Sequence, residues 1–258
     1  MTFRTPCLAL CLRRLLLPLA GLFAGLLVGC AAPQHSTAVA PAQSEKTWNP
    51  MAQASWQEVQ LPGKTPTVYR LDDQAPSGTR GLRTALKADA QSSASMLRAP
   101  VRIEADALGR VDFSWLVPKL IANADMGQRD GDDSPVRLIL AFEGDRSKFS
   151  AKDAMVNELA RLLTGEEMPY ATLMYVWCNK RPVDSVIRSP RTDRIRKIVV
   201  ESGAQGLTQW RYYERDIRAD YLRAFGEAPG ALVAIGLMSD SDNTHSNAVA
   251  WYGPIALR

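Results

Sequence analysis

The chain has 258 residues, 46% of them hydrophobic, enough for a sizeable core, and a formal charge of +4. Arg4, Arg13 and Arg14 lie in an N-terminal segment without acids, and removing them leaves +1, so no concentrated basic face for a nucleic acid is expected. Of the four cysteines only Cys178 lies beyond position 30, which excludes an internal disulfide framework in the folded part.

Residues 1–29 begin with arginines, continue through an apolar run from Leu15 to Val28, and end on small residues. The run is short and broken by Pro18 and two glycines, which predicts a secretory signal peptide rather than a membrane span. Its end, Leu27-Val28-Gly29-Cys30, resembles the bacterial lipoprotein signal box. That resemblance implies cleavage before Cys30, a diacylglycerol on its sulfur and a fatty-acylated amino group (palmitate). With Ala31 rather than Asp following, it also implies an outer-membrane anchor facing the periplasm. Residues 30–52 are rich in Ala, Pro, Gln, Ser and Thr and read as a flexible tether.

From residue 53 to the C-terminus the sequence reads as one domain of short apolar runs separated by turn residues. Strands are expected at Glu58–Leu61, Thr67–Leu71, Leu82–Ala88 and Ser95–Glu104. Val111, Phe113, Trp115 and Val117 alternate with Asp112, Ser114 and Leu116, the period of a half-buried strand. Val136–Phe142 and Ala171–Trp177 are nearly continuous apolar runs and are expected at the centre of a sheet. Arg188–Lys197 reads as a solvated loop and strand edge, because Pro190 and Asp193 interrupt its charge.

Two helices interrupt this rhythm. Ser150 caps the first, whose Met155, Val156, Leu159, Leu162 and Leu163 recur at helical spacing before Gly165 ends it; that face is expected to pack on a sheet. Ile217, Tyr221 and Phe225 form the stripe of the second, stopped by Gly226, while Trp210 and Tyr212 are expected in the loop before it. The count is nine or ten strands and two helices, with strands following one another: an all-β fold with minor α, an antiparallel jelly-roll-like β-sandwich.

The chain closes on two apolar strands, ALVAIGLM and AVAWYGPIALR, flanking the acidic loop SDSDNTHSN. Asp240, Asp242 and Asn243 there, with Asp132 and Asp133 in an earlier loop, either pin turns or present oxygens to a cation such as calcium. The possible calcium ligands are Asp133, Asp240 and Asp242. Sugars stack on aromatic faces, which nominates Trp210, Tyr212 and Tyr252 as ligand contacts, with Trp115 and Trp177 left to the core. An enzymatic alternative needs paired carboxylates, for which Glu143 with Asp145 or Glu201 with Asp242 are available, or His245 and Tyr252 as the acid and base of a lyase.

Several blocks together resemble a family of bacterial envelope proteins known as domain of unknown function 3047. They are Tyr170–Trp177 (YATLMYVW), Val200-Glu201-Ser202-Gly203, Arg215-Asp216-Ile217 with Asp220-Tyr221 and Phe225-Gly226-Glu227, and Met238–Thr244 with Trp251-Tyr252-Gly253. The chain has Ser239 and Ser241 where the family has Thr, and Asp216 where it usually has Asn. The resemblance spans roughly Trp56 to the C-terminus and implies a jelly-roll sandwich similar to carbohydrate-binding modules, with no established reaction. The expectation is a membrane-anchored periplasmic lipoprotein that binds a glycan or other envelope ligand without catalysis. The alternatives are a polysaccharide-active enzyme and a scaffold holding an envelope protein complex through the first helix.

Overall fold

The structure is a computed structural model, described here for residues 46–48, 56–77 and 84–258. The signal peptide, Cys30 and most of the tether therefore lie outside the described residues. In chain order the strands are β1 (Lys46–Trp48), β2 (Gln57–Gln60), β3 (Val68–Asp72), β4 (Ala85–Gln91), β5 (Ala94–Ile103), β6 (Arg110–Leu116) and β7 (Ser134–Phe142). Helix α1 (Ala151–Thr164) follows, then β8 (Ala171–Cys178), β9 (Val186–Arg188), β10 (Ile195–Ser202) and β11 (Trp210–Asp216). Helix α2 (Ile217–Phe225), β12 (Leu232–Asp240), β13 (Asn247–Tyr252) and β14 (Ile255–Leu257) complete the chain.

The strands form two seven-stranded sheets. The first runs β1-β14-β6-β13-β4-β3, with β11 also paired to β6; the second runs β2-β5-β12-β7-β8-β10-β9. The sandwich expected from the spacing is present, with fourteen strands among the described residues rather than nine or ten, because three-residue strands such as β9 and β14 carry too few residues to show a period. One pair departs from antiparallel order: β10 lies parallel to β8, with β9 folded onto its outer edge.

Inward side chains of both sheets make one core. Val111, Phe113 and Trp115 of β6 are buried as their alternation requires, and Phe113 stacks on Tyr175 of β8 at 5.5 Å. Every residue of β7 is buried, as its apolar run predicts, and β7 lies between β12 and β8. Helix α2 presses Tyr221 edge-on against Phe142 at 4.8 Å. Its N-cap is Asp216, whose side chain accepts the Ala219 N–H at 2.9 Å. An Asn carbonyl makes the same bond, so the departure at this position preserves the cap.

Three expectations are corrected. Trp210 and Tyr212 sit in β11, not in a loop: seven residues pair with β6, and Tyr213 packs between Phe113 and Trp115 at about 5 Å. Charged tips at Arg211, Glu214 and Arg215 hide that alternation in the sequence. Arg196 and Lys197 are buried rather than solvated. Most consequential is α1, capped by Ser150 and closed by Gly165 at φ +76° as expected, but turned the other way round. Met155, Leu159, Leu162 and Leu163 are 55–71% exposed, while Asp153 is buried and accepts from Thr192 Oγ1 and the Asp193 N–H beside β10.

Candidate functional site

The register of β7 and β12 sets Asp240 opposite Ser134, so the loop before β7 and the loop after β12 lie side by side. The latter then crosses from one sheet to the other, since β13 belongs to the first. This juxtaposition brings Asp132, Asp133, Asp240, Asp242 and Asn243 together.

Nearly every oxygen in this knot already has a protein donor. Asp133 Oδ1 accepts from the Asn243 backbone N–H (3.1 Å) and Nδ2 (2.9 Å), and its Oδ2 from the Thr244 N–H (2.7 Å) and Oγ1 (2.6 Å). Asp240 Oδ1 accepts from Ser134 N–H (3.0 Å) and Arg137 Nε (2.9 Å), and its Oδ2 from Arg137 Nη2 (2.8 Å). Asp132 Oδ1 accepts from Lys197 Nζ (2.6 Å) and Arg137 Nη2 (3.2 Å), and Lys197 also donates to the Met126 carbonyl (3.0 Å). Asp242 is ion-paired with Lys64, and Arg191 donates to Asn243 Oδ1 at 3.0 Å. Asp132, Asp240 and Asp242 thus pair with Arg137, Lys197 and Lys64, while Asp133 serves Asn243 and Thr244.

Burial sets the electrostatics. Arg137 and Lys197 are 2% and 1% exposed. Burial, then repulsion from Arg137, pushes Lys197 down to about 8. Burial works against Arg137 as well, yet Asp240 and Asp132 hold it above the ordinary arginine value. Asp132, which burial alone would raise, is held below the carboxylate range by Arg137 and Lys197. Oxygens of Asp133, Asp240 and Asp242 lie within 4.8 Å of one another, the spacing expected of calcium ligands. A hard cation needs six to eight free oxygens. Those present already accept from amides, Arg137 and Lys64.

The aromatic candidates are also engaged. Trp210 is 8% exposed and donates from Nε1 to the Pro76 carbonyl at 2.6 Å. Tyr252 is 1% exposed; its hydroxyl donates to the Met238 carbonyl (2.7 Å) and lies 2.9 Å from Ser239 Oγ, so it is a core residue rather than a ligand contact or the partner of His245 in a lyase. Tyr212 remains half-buried on the outer side of β11, packed with Trp210 and Trp251. The nominated carboxylates are also tied up: Glu143 pairs with Arg102, Asp145 caps Ser147, and Glu201 accepts from Arg211 and Tyr213.

What the sequence did not reveal is a trough of about 1980 Å³ on the outer face of the second sheet. Its floor is a transverse row: Arg98 of β5, Gly236 of β12, Ile139 of β7, Met174 of β8 and Lys197 of β10. Met96 and Met238 face each other in the next row, and Pro100, Ala234 and Ala141 in the row on the other side. Gly236 keeps the centre low, since a Cβ there would meet the Leu97 carbonyl at 3.1 Å. Ala160, Leu163 and Thr164 of α1 line one side, where Glu166 forms an ion pair with Arg98 at 2.6 Å. Asp242, Asn243, Arg137 and Lys197 of the knot line another part. Spanning six strands from β2 to β10, the floor is ~24 Å long at the usual strand spacing.

Residues 54–256 match the family model described as Protein of unknown function (DUF3047). A search of curated proteins returned no match. Among solved structures, a family 11 carbohydrate-binding module of a Clostridium thermocellum cellulosomal cellulase is 9% identical with a TM-score of 0.40, covering 84% of this chain and 95% of that one. The adhesin domain of Lys-gingipain from Porphyromonas gingivalis is 9% identical at 0.39, over 83% and 98%. A xylan-binding module from Roseburia intestinalis is 13% identical at 0.32, over 83% and 94%.

Proposed function

The chain belongs to the DUF3047 family, and from that premise we propose that it is a non-catalytic binding module of the bacterial envelope that lays a glycan chain along the trough of the second sheet. The observation that carries this reading is a floor apolar at its centre, with Arg98 and Lys197 at its two ends and polar side chains at its rims. A sugar ring has C–H faces that suit Met96, Met174 and Met238, and hydroxyls at its edge that suit Gln57, Gln60 and Arg98. The rims supply bonds at the side, and the floor supplies contact area without directional demands. The knot acts as an end wall, positioned by its own bonds. In this reading Cys30 carries the lipid that holds the domain at the outer membrane, facing the periplasm.

The test is co-sedimentation of the full chain with insoluble and bead-linked bacterial polysaccharides, with the supernatant assayed for released sugar. Retention on at least one polymer without release is expected, reduced at least tenfold by Ala234→Trp, which fills the trough between Pro100 and Ala141. Release of sugar would make the protein an enzyme, and failure to bind any polymer would overturn the glycan reading. The anchor is tested separately: Cys30→Ala should move the protein from the membrane fraction to the soluble one.

A further inference from the structure

Helix α1 is amphipathic in reverse. Val156, Asn157 and Ala160 are half-buried on the side of Asp153, and Asn157 accepts the Met168 N–H at 2.9 Å, so the small and polar face is turned to the domain. The outward face carries Met155 (67% exposed), Leu159 (55%), Leu162 (71%) and Leu163 (61%). These residues fall at helical spacing within one stripe about 100° wide. A stripe of this kind on a surface marks a contact with something apolar.

We propose that the occupant is α1 of a second copy of this chain, packed antiparallel about a two-fold axis at Leu159. The charges around the stripe select this partner. With the axis at Leu159, Met155 lies against the partner's Leu163 and Leu159 against the partner's Leu159. Glu158 then faces the partner's Arg161, and both lie on the same flank of the stripe. Lys152 at the start of the helix faces the partner's Glu166 and Glu167 beyond its end. All of these charged residues are exposed; Glu158 and Arg161 form a 2.6 Å ion pair within the helix, while Glu166 pairs with Arg98 and Glu167 with Arg146, so Lys152 of the partner adds a cation to acids that are already partnered and leaves no lone charge desolvated. An isologous contact needs such self-complementarity, and antiparallel packing also sets each helix's positive end beside the other's negative end. The helix spans ~21 Å, three to four turns of contact. A bilayer would not use the alternation: Lys152 and Arg161 are balanced by Asp153 and Glu158, so the helix has no net charge with which to seek anionic lipid. Leu163 and Glu166 also border the trough, and the contact does not depend on which ligand the trough holds.

The experiment uses the full chain in membrane vesicles carrying Leu159→Cys, mildly oxidised and read on a non-reducing gel. Leu222→Cys, 54% exposed on α2, is the control for random collision. A disulfide-linked dimer at least five times more abundant for Leu159→Cys than for the control is expected. Lys152→Glu added to Leu159→Cys should reduce it, and Glu166→Lys together with Glu167→Lys on top should restore it. Equal crosslinking at both positions would overturn the proposal. So would protection of Leu159→Cys from a water-soluble thiol reagent by the vesicles without any dimer, which would hand the stripe to the bilayer.

Discussion

The knot and the trough adjoin each other on one sheet, yet they use their side chains in opposite ways. In the knot, Asp133 satisfies the amides of Asn243 and Thr244, Asp240 clamps Arg137, and Asp132 neutralises Lys197. Those bonds close a crossing between sheets and leave little for a ligand. In the trough, Met96, Met174 and Met238 offer only a weakly accepting thioether, which at Met174 takes a long 3.9 Å bond from Arg137, and they stay partly open. Methionine is an adaptable surface, flexible at three bonds and polarizable at sulfur. The difference teaches that a dense polar motif is evidence of function only when its hydrogen-bonding capacity is left over, and here the capacity is consumed.

If the knot is architectural, breaking it should unfold the protein before it alters binding. Asp240→Ala strands the buried guanidinium of Arg137 and is expected to cost ~3–5 kcal/mol, measured by denaturant unfolding. A loss below ~1 kcal/mol would mean that Asp240 is free for another role.

A smaller effect is expected from pH. An unfolded lysine keeps its proton to about pH 10.4, whereas Lys197 in the folded protein loses it near 8. Between those values the unfolded chain binds more protons, so this residue's contribution to stability rises with pH, by at most ~1.4 kcal/mol per unit. The difference in unfolding free energy between the wild type and Lys197→Met should therefore change slope by about one proton between pH 8 and 10. A difference independent of pH would mean that Lys197 titrates normally.

The smallest effect on stability belongs to the trough. Ala234→Trp should alter unfolding free energy by less than ~1 kcal/mol, since Ala234 is only half-buried on the outer face, while it removes polysaccharide retention. Should it instead unfold the protein, the trough would be a packed surface rather than an open one, and the contrast with the knot would collapse.

The legible features are those carried by local periodicity and turn chemistry. Alternation along β6, the unbroken apolar run of β7, the Ser150 and Gly165 caps of α1 and the Ile217-Tyr221-Phe225 stripe of α2 each report on one element, and each element formed as expected. The family blocks lie largely on β8, the end of β10, α2, the knot and β13. Three matters needed the tertiary structure. The β7–β12 register decided that the carboxylates would bond to one another's loops, a pairing between residues more than a hundred positions apart that no local pattern encodes. The trough arises from side chains of six strands meeting across a sheet, each contributing a few residues that look unremarkable in its own segment. The direction α1 faces was decided by its tether at Asp153 to Thr192 and Asp193, since helical periodicity defines a stripe but not what lies beneath it.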